Sequence, residues 1–305
     1  MPTQTLRHLL DIESLPIEAI HSILQTAQKS LEKPLSIKNL AAKEVCNAFF
    51  EASTRTRCSF EIAAKRLGLN VINFDVKTSS TMKGESLLDT FQALSAMGID
   101  AFVVRHSESG VPQFLADNLP ATASIINAGD GHHAHPTQAL LDVFTIQQHK
   151  PNISNLSIAI VGDISHSRVA RSQVALLRKL GVSDIRLIAP SGLIPTDLEG
   201  ASLTHFTKLN QGIEEADVII ALRIQQERMQ NTEIPNFTEY FQQYGIKPEN
   251  LLHAKKDAIV LHPGPINREI DIASVVADGP QSVILQQITN GVAIRMAILA
   301  LLLEK

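Results

Sequence analysis

The chain has 305 residues, of which 44% are hydrophobic and 19% are charged, and its formal net charge is −4 at pH 7. This length and composition suit a globular protein with one large or two medium α/β domains. The slightly negative charge and an aromatic content of 4% without tryptophan disfavour nucleic-acid binding, which requires basic surfaces and stacking rings.

The first half of the chain alternates short apolar runs with amphipathic runs of helix length. We predict strands over residues 45–50, 70–75, 101–104 and 124–127, and helices over residues 59–67, 86–97, 111–118 and 137–148. This alternation is typical of a parallel sheet covered by helices. The polar residues 150–155 interrupt the pattern and predict a domain boundary.

The alternation resumes in the second half, with strands predicted over residues 157–161, 185–189, 218–221 and 258–261. Residues 283–303 are apolar on most faces and predict a buried helix, with a bend or a break at Asn290 and Gly291. The predicted fold is therefore α/β with two domains, each a parallel sheet flanked by helices. We place the domains at residues 1–149 and 150–285, with a C-terminal helix over 286–305 returning to the first domain.

Two further features concern the environment of the chain. Cys46 and Cys58 are too few for a disulfide framework, and we interpret both as structural thiols. The polar residues 2–8 lack a signal-peptide core, and the longest apolar run, residues 296–303, is too short to cross a bilayer. We expect a cytoplasmic protein without a membrane partner.

The most informative motif is Ser-Thr-Arg-Thr-Arg at residues 53–57, between the first predicted strand and a helix expected to begin near Ser59. A turn that opens a helix presents unpaired N–H groups and the positive end of the helix dipole, which bind anions. Arginine forks onto phosphate oxygens, whereas helix capping alone needs one hydroxyl and no arginine. The motif is not a P-loop, so binding of nucleoside triphosphates is disfavoured.

Other polar residues follow the third and fourth predicted strands. Arg105 comes after the third, and His132, His133, His135 and Gln138 come after the fourth. A metal site is one interpretation of the three histidines, but carboxylate or cysteine ligands at the usual spacing are lacking. We favour His135 and Gln138 as hydrogen-bond donors to a carbonyl oxygen of a ligand, and we expect His132 and His133 to be solvated.

In the second half, arginines follow two predicted strands. Gly162 is not followed by the further glycines of a dinucleotide fingerprint, so NAD binding is disfavoured. Arg168 and Arg223 predict a ligand with carboxylates, and a surface salt bridge is the alternative for each. Because ligands of open α/β sheets bind beyond the carboxyl ends of the strands, we expect the basic residues to line a cleft between the domains.

Two loops complete the set of candidates. Residues 79–85 form a polar loop that contains Lys83, for which solvation is the default interpretation. Residues 262–265, His-Pro-Gly-Pro, follow the last strand and offer carbonyl acceptors in a rigid frame, because proline cannot donate a hydrogen bond. Such acceptors suit an NH₂ group.

Together these motifs resemble the aspartate and ornithine carbamoyltransferases in order and spacing over essentially the whole chain. The sequence is similar to the aspartate branch, because Thr137 stands where the ornithine branch typically has cysteine. Pro-Gly-Pro at residues 263–265 likewise replaces that branch's Cys-Leu-Pro. Residues 223–225 and 83–85 also match the aspartate branch.

The resemblance implies that the first domain binds carbamoyl phosphate and the second binds aspartate. It implies a catalytic set and a carbamoyl-phosphate set, which share several members. The catalytic residues would be Arg55, Thr56, Arg105 and His135. Carbamoyl phosphate would contact Ser53, Thr54, Arg55, Thr56, Arg105, His135, Gln138, Gly264 and Pro265. Aspartate would contact Lys83, Arg168, Arg223 and Gln225.

The resemblance also implies a homotrimer with shared active sites, in which a neighbouring subunit supplies Lys83 and either Ser79 or Ser80. It implies neither a cofactor nor a metal, and it leaves open a higher assembly with a regulatory chain or a dihydroorotase. Two rival functions remain, a carbamoyltransferase for ornithine or a related amine, and a catalytically silent scaffold subunit.

Overall fold

The computed structural model describes residues 6–33, 35, 42–76, 79, 84–198, 200–225 and 236–304. The chain forms two compact units. Unit 1 comprises Met1–Leu140 and Thr289–Lys305, and unit 2 comprises Leu141–Ile288. Both divisions fall inside long helices, Pro136–His149 and Ile284–Leu303, while the polar stretch after residue 150 contains a short 3₁₀ turn at Ile153–Asn155.

Unit 1 is built on a parallel sheet whose described strands run in the order β2-β1-β3-β4. The strands are β1 Glu44–Phe49, β2 Asn70–Phe74, β3 Ala101–His106 and β4 Ser124–Asp130. The helices before and between them are α1 Ile17–Glu32, α2 Thr54–Arg66, α3 Leu87–Ala96 and α4 Val111–Asn118, and α5 Pro136–His149 follows β4. Buried aromatic and aliphatic side chains such as Phe91, Phe102 and Ile125 form the core on one face of the sheet.

Unit 2 is built on a second parallel sheet, with described strands in the order β7-β6-β5-β8-β9. The strands are β5 Ser157–Val161, β6 Asp184–Ile188, β7 Leu203–Phe206, β8 Val218–Ala221 and β9 Ile259–Leu261. The helices are α6 Arg168–Lys179, α7 Leu209–Gly212, α8 Phe237–Tyr244, α9 Pro248–Leu251 and α10 Ser274–Ala277. The last helix, α11 Ile284–Leu303, begins in unit 2 and continues into unit 1. The predicted fold class, two helix-flanked parallel sheets, is confirmed.

The strand β7 and the helix α1 lie outside the sequence prediction, which also gave no bounds for α6 to α10. The edge strand β7 has four residues and no fully buried side chain, so it carries no apolar run. Helix α1 does carry a signal, because its buried residues Ile20, Ile23, Leu24 and Ala27 recur at helical spacing. The periodicity at 20–27 could therefore have predicted α1.

The start of α2 corrects a prediction, because the helix begins at Thr54 and not near Ser59. The first turn is polar and lacks the apolar periodicity that marks the rest of the helix. Contacts inside the helix stabilise this turn. Thr56 is buried, and the Ser59 hydroxyl donates to the carbonyl oxygens of Arg55 at 2.7 Å and Thr56 at 2.9 Å. The motif at 53–57 is consequently the N-cap and first turn of the helix itself.

The sequence predicts a bend or a break at Asn290 and Gly291, and the break is wrong, because the C-terminal helix α11 runs unbroken from Ile284 to Leu303. Packing accounts for the difference, because Asn290 is 2% exposed and burial offsets the about 1 kcal/mol that a helical glycine costs. Within unit 1, the buried Arg295 guanidinium lies 5.2 Å from the ring centre of Phe60 on α2 and donates to Thr137 Oγ1 on α5 at 3.4 Å. These contacts fix the end of α11 to unit 1.

By length and composition alone, α11 is also the one helix in the described part of the chain that could cross a membrane, with a mean hydropathy of 1.4. About two thirds of its apolar window, 67%, is buried inside the protein. Core helices of soluble proteins meet the same criteria, so this is weak support for a span.

Candidate active site

The order of strands in unit 1 predicts where its ligand binds. The chain leaves β1 toward β2 on one side and later places β3 on the other side, so the topological switch point lies between β1 and β3. In open α/β sheets, ligands bind at this point, beyond the carboxyl ends of the strands. The structure brings two predicted groups there, the turn at 53–57 after β1 and Arg105 near the end of β3.

The turn after β1 has the form of an anion site. Thr54, Arg55 and Thr56 are the first three residues of α2, so their N–H groups lie at the positive end of the helix. Ser53 is the N-cap residue, yet within the described structure its side chain makes no capping hydrogen bond. Capping therefore does not account for this hydroxyl. The side chain of Arg55 is exposed in this first turn.

Arg105 is aligned with the same edge of the sheet. It stands opposite Phe49 in the β1–β3 register, and its carbonyl oxygen accepts from the N–H of Phe50 at 2.8 Å. Its guanidinium donates to the Ala128 carbonyl oxygen at 3.3 Å and lies 3.2 Å from the carboxylate of Glu51. The side chain is thus held between β1 and β4, with Glu51 as a counter-charge.

His135 and Gln138 lie at the start of α5, beyond the end of β4. The carbonyl oxygen of His135 accepts from the N–H groups of Gln138 at 3.1 Å and Ala139 at 3.3 Å, so His135 occupies the N-cap position. The two side chains are 4% and 8% exposed. A buried imidazole and carboxamide at a helix N-terminus can donate hydrogen bonds to a carbonyl oxygen in a low-dielectric setting.

The neighbouring histidines differ from His135. His132 and His133 are exposed, as predicted, and His133 contacts the Asp130 carboxylate at 2.9 Å. Gly131, which precedes them, must be glycine, since its φ is +45° and an added Cβ would lie 2.6 Å from the Ser109 backbone nitrogen. Among the described residues, no group of three or more His, Cys, Asp or Glu is arranged to hold a metal ion.

Unit 2 repeats the arrangement. Its switch point lies between β5 and β8, because β6 and β7 extend to one side and β9 to the other. Arg168 begins α6 after β5 and is 5% exposed, and Arg223 and Gln225 follow β8. The structure therefore brings these three predicted residues to one switch point within unit 2.

A buried carboxylate joins the two loops at this point. Asp163, fully buried after β5, accepts from the backbone N–H of Gln225 at 3.2 Å and contacts His166 Nδ1 at 2.8 Å. The Gln225 side chain donates in turn to the His166 carbonyl oxygen at 2.9 Å. Burial raises the pKa of the Asp163 carboxyl above its usual value, although the hydrogen bonds from His166 and Gln225 lower it.

Gly162 permits this contact between loops. Its φ is +126°, and a Cβ at this position would lie 2.8 Å from the carbonyl oxygen of Leu222. The chain after β5 thus passes directly against the chain after β8, one residue before Arg223. The glycine serves close approach of two backbones and not a pyrophosphate.

The turn after β9 contains a cis peptide bond between Gly264 and Pro265, and it leaves Pro265 exposed. At this turn the buried His262 and Asp271 contact each other, with 3.2 Å between His262 Nε2 and the Asp271 carboxylate. Burial and the negative charges of Asp271 and Asp163 raise the pKa of the Tyr240 hydroxyl well above its usual value. Tyr240 is therefore neutral beside the two carboxylates.

One predicted site residue cannot be placed. Lys83 lies outside the described residues, as does Ser80. Ser79 is described, and its hydroxyl donates to the Val76 carbonyl oxygen at 2.8 Å.

Two family models match the chain and together span most of it. Residues 7–148 match the aspartate/ornithine carbamoyltransferase carbamoyl-phosphate-binding domain, and residues 154–302 match the Asp/Orn-binding domain of the same family. The chain belongs to the aspartate/ornithine carbamoyltransferase family. This membership confirms the family resemblance of the sequence motifs.

Solved structures of this family that resemble the chain include aspartate transcarbamoylase from Trypanosoma cruzi. Its complex with N-(phosphonacetyl)-L-aspartic acid has a TM-score of 0.86 and 29% identity, with 96% of this chain and 95% of that chain covered. Its complex with carbamoyl phosphate has a TM-score of 0.87, 28% identity and the same coverage. Its complex with carbamoyl aspartate and phosphate has a TM-score of 0.85 and 29% identity, again covering 96% and 95%.

In the present structure, four charged residues that the sequence analysis did not identify lie beside the predicted site residues. They are Glu51 beside Arg105, Asp163 beside Gln225, Asp271 behind the cis-proline turn, and Arg295 beneath α2 and α5. Glu51 and Asp163 follow strands directly, which is the signal used for the arginines and could have found them. Asp271 and Arg295 follow no strand end, so the sequence offers no comparable signal.

Proposed function

We propose that this chain transfers the carbamoyl group of carbamoyl phosphate to the amine of L-aspartate, giving N-carbamoyl-L-aspartate and phosphate, as in de novo pyrimidine biosynthesis. The observation that carries the proposal is the position of the basic residues at the switch point of each sheet. Unit 1 has an anion-binding helix start with Arg55 and Arg105, and unit 2 has Arg168 and Arg223. Both substrates are anions, and each unit offers a site for one of them.

In unit 1, the phosphate would lie on the first turn of α2. It would be bound by the N–H groups and hydroxyls of Ser53, Thr54 and Thr56 at this helix start, and Arg55 and Arg105 would add charge-assisted hydrogen bonds. His135, Thr56 and Arg105 would polarise the carbamoyl carbonyl. The carbamoyl NH₂ would donate to Gln138 and to the carbonyl oxygens near Gly264 and Pro265.

In unit 2, the carboxylates of aspartate would bind Arg168, Arg223 and Gln225, with Lys83 as a further contact. The aspartate amine would attack the carbamoyl carbon, and the oxyanion that forms on the carbonyl oxygen would be stabilised by the polarising donors. The C–O bond to phosphate then breaks, and the departing phosphate accepts the amine proton. Catalysis consists of alignment and electrostatic stabilisation, without a covalent enzyme intermediate.

We propose further that the chain acts as a cytoplasmic homotrimer with shared sites, in which a neighbour supplies Lys83 and Ser79 or Ser80. The edge of the unit 1 sheet supports this assembly, because Ile72 on β2 and Ile62 on α2 are 44% and 42% exposed. The cysteines support a reducing compartment, since Cys46 and Cys58 are both free.

The test is production of carbamoyl aspartate by the purified chain, with aspartate and ornithine offered in parallel. Activity with aspartate alone supports the proposal, activity with ornithine alone favours the rival transferase, and no product with either favours a silent subunit. Arg55→Ala is expected to lower kcat/KM by about 100-fold or more, because a charge-assisted contact to the transferring group is lost. Arg66→Ala, at the exposed far end of the same helix, is the matched control.

A second measurement addresses the aspartate half-site. Arg223→Ala is expected to raise the KM for aspartate by about tenfold or more, because a guanidinium contact to a carboxylate is lost. Arg171→Ala, which removes only the ion pair with the exposed Asp197, serves as the control. An unaltered aspartate KM in Arg223→Ala would remove Arg223 from the assignment.

A further inference from the structure

The segments after β8 and β9 are neighbours in unit 2, because these two strands pair directly, with Ile220 opposite Leu261. The first segment carries Arg223 and Gln225 on either side of Ile224. The second is the turn from His262 to Pro265. Under the proposed function, the first binds aspartate and the second accepts hydrogen bonds from the carbamoyl NH₂, so their spacing bears on the reaction.

The carboxylate of Asp271 joins these two segments. It is 3% exposed, and its Oδ1 accepts from the backbone N–H of Ile224 at 3.0 Å. Its Oδ2 accepts from the backbone N–H of Asn267 at 2.9 Å and lies 3.2 Å from His262 Nε2. Asn267 adds a second link, since its side-chain N–H donates to the Ile224 carbonyl oxygen at 3.3 Å. One buried carboxylate thus contacts three donors, which are Ile224 on the first segment, His262 on the second, and Asn267 just after the second.

The hydrogen bonds of His262 fix its tautomer. Nδ1 accepts from the backbone N–H of Gly264 at 2.9 Å, so it carries no proton. The ring proton is therefore on Nε2, which donates it to Asp271. The backbone N–H of His262 donates to Gln287 Oε1 at 2.9 Å, which anchors the residue to α11. Because both ring nitrogens are engaged within the protein, this histidine is not an acid or a base for a substrate.

We propose that His262 and Asp271 are a positioning pair, which sets the distance between the aspartate-binding segment after β8 and the carbonyl acceptors of the turn after β9. This inference rests on the proposed function. A pair that served stability alone would not need a carboxylate, because burying a charge is costly and apolar side chains can fill the same volume. A carboxylate with three donors fixes direction as well as distance, and small errors in alignment slow reactions between two bound substrates strongly.

Asp271→Asn is the first variant. An asparagine side chain turns one acceptor oxygen into an NH₂ group, which must face either Ile224 N–H or the donors of Asn267 and His262. We expect the KM for aspartate to rise and kcat to fall, each by about tenfold, the effect of losing a hydrogen bond to a buried charge. Binding of inorganic phosphate, which uses unit 1, should stay within about twofold of wild type. The matched control is Asp278→Asn, which removes an exposed carboxylate that pairs with Arg268 on the surface.

His262→Asn is the second variant and tests the link without removing the carboxylate. The asparagine oxygen can replace Nδ1 as the acceptor for Gly264 N–H, but the shorter side chain does not reach Asp271. The same aspartate-selective loss is expected, and the double variant should be no worse than the poorer single variant, because both break one link. His262→Gln, which reaches Asp271 but not Gly264, should restore part of the aspartate affinity.

The outcomes are separable. Loss confined to aspartate KM and kcat, with phosphate binding retained, supports the pair. Wild-type kinetics in folded Asp271→Asn and His262→Asn overturn it, and so does an equal loss for both substrates with lowered thermal stability, which marks a structural role. If Asp271→Asn does not fold, His262→Asn decides by the same criteria. Absence of carbamoyl aspartate from the wild-type chain would instead refute the proposed function.

Discussion

His135 is the residue whose chemistry depends most on its position. Its imidazole is 4% exposed at the N-terminus of α5, where a donor can act on a carbonyl oxygen without competition from water. We expect His135→Ala to lower kcat by about 100-fold, the usual effect of removing one oxyanion donor, while the affinity for phosphate changes little. Steady-state kinetics and phosphate titration measure both quantities. His133→Ala, which alters an exposed histidine two residues away, is the control, and equal turnover in the two variants would refute the role of His135.

Asp163 predicts a dependence of stability on pH. Burial raises the pKa of its carboxyl in the folded protein. The native state then holds the proton more tightly than the unfolded chain. Its contribution to the free energy of unfolding therefore falls as pH rises from the ordinary aspartate value, about 4, through the raised native value.

Asparagine has no such titration, so Asp163→Asn should remove this part of the slope, and the variant should gain stability relative to wild type as pH rises through that window. Denaturant unfolding at a series of pH values measures the free energy of unfolding of both proteins. Asp197→Asn is a control of opposite sign, because Arg171 lowers the pKa of that exposed carboxyl. Parallel pH profiles for Asp163→Asn and wild type would contradict the assignment.

At the scale of elements, sequence reasoning succeeds where structure follows from local pattern. Arg55 and Arg105 are found because Arg55 lies in the turn that follows one buried apolar run and Arg105 lies at the end of another, and a parallel sheet collects such positions at one edge. The start of α2 is misplaced because its first turn is polar. The links through Asp163 and Asp271 join positions 62 and 47 residues apart, so they depend on strand order, which the sequence pattern does not contain.

The close approach of the ends of β5 and β8 requires a glycine at position 162. Gly162→Ala combines a positive φ with a Cβ placed 2.8 Å from the Leu222 carbonyl oxygen, so the ends of β5 and β8 must separate. We expect a loss of about 1–3 kcal/mol of stability, as is usual for such strain, together with a raised KM for aspartate. Gly181→Ala is the matched control, because its φ of +78° imposes the backbone penalty while the nearest atom lies 3.9 Å away. Chemical denaturation and kinetics compare the two, and an equal effect of both substitutions would rule out the close approach as the cause.

At the scale of the whole molecule, the two sheets share one arrangement of basic residues. Each places basic side chains beyond two parallel strands at its switch point, where helix starts already favour anions. The formal net charge of −4 shows that these cations are a local feature and not part of a general basic surface. Each unit is therefore suited to a small anion rather than to a polyanion.

The proposed trimer predicts a subunit contact at the edge of the unit 1 sheet. Ile72 lies on the edge strand β2 and Ile62 on α2, which packs beside it, and both are more than 40% exposed, at 44% and 42%. Burial of these side chains against a second copy would remove apolar surface from water. We expect the wild-type chain to sediment as a trimer, and Ile72→Glu to shift it toward monomer because a carboxylate would be buried at the contact. Met97→Glu alters a 76% exposed side chain elsewhere in unit 1 and is the control. If neighbours share sites, the Ile72→Glu monomer should also lose turnover, and a fully active monomer would refute the shared site.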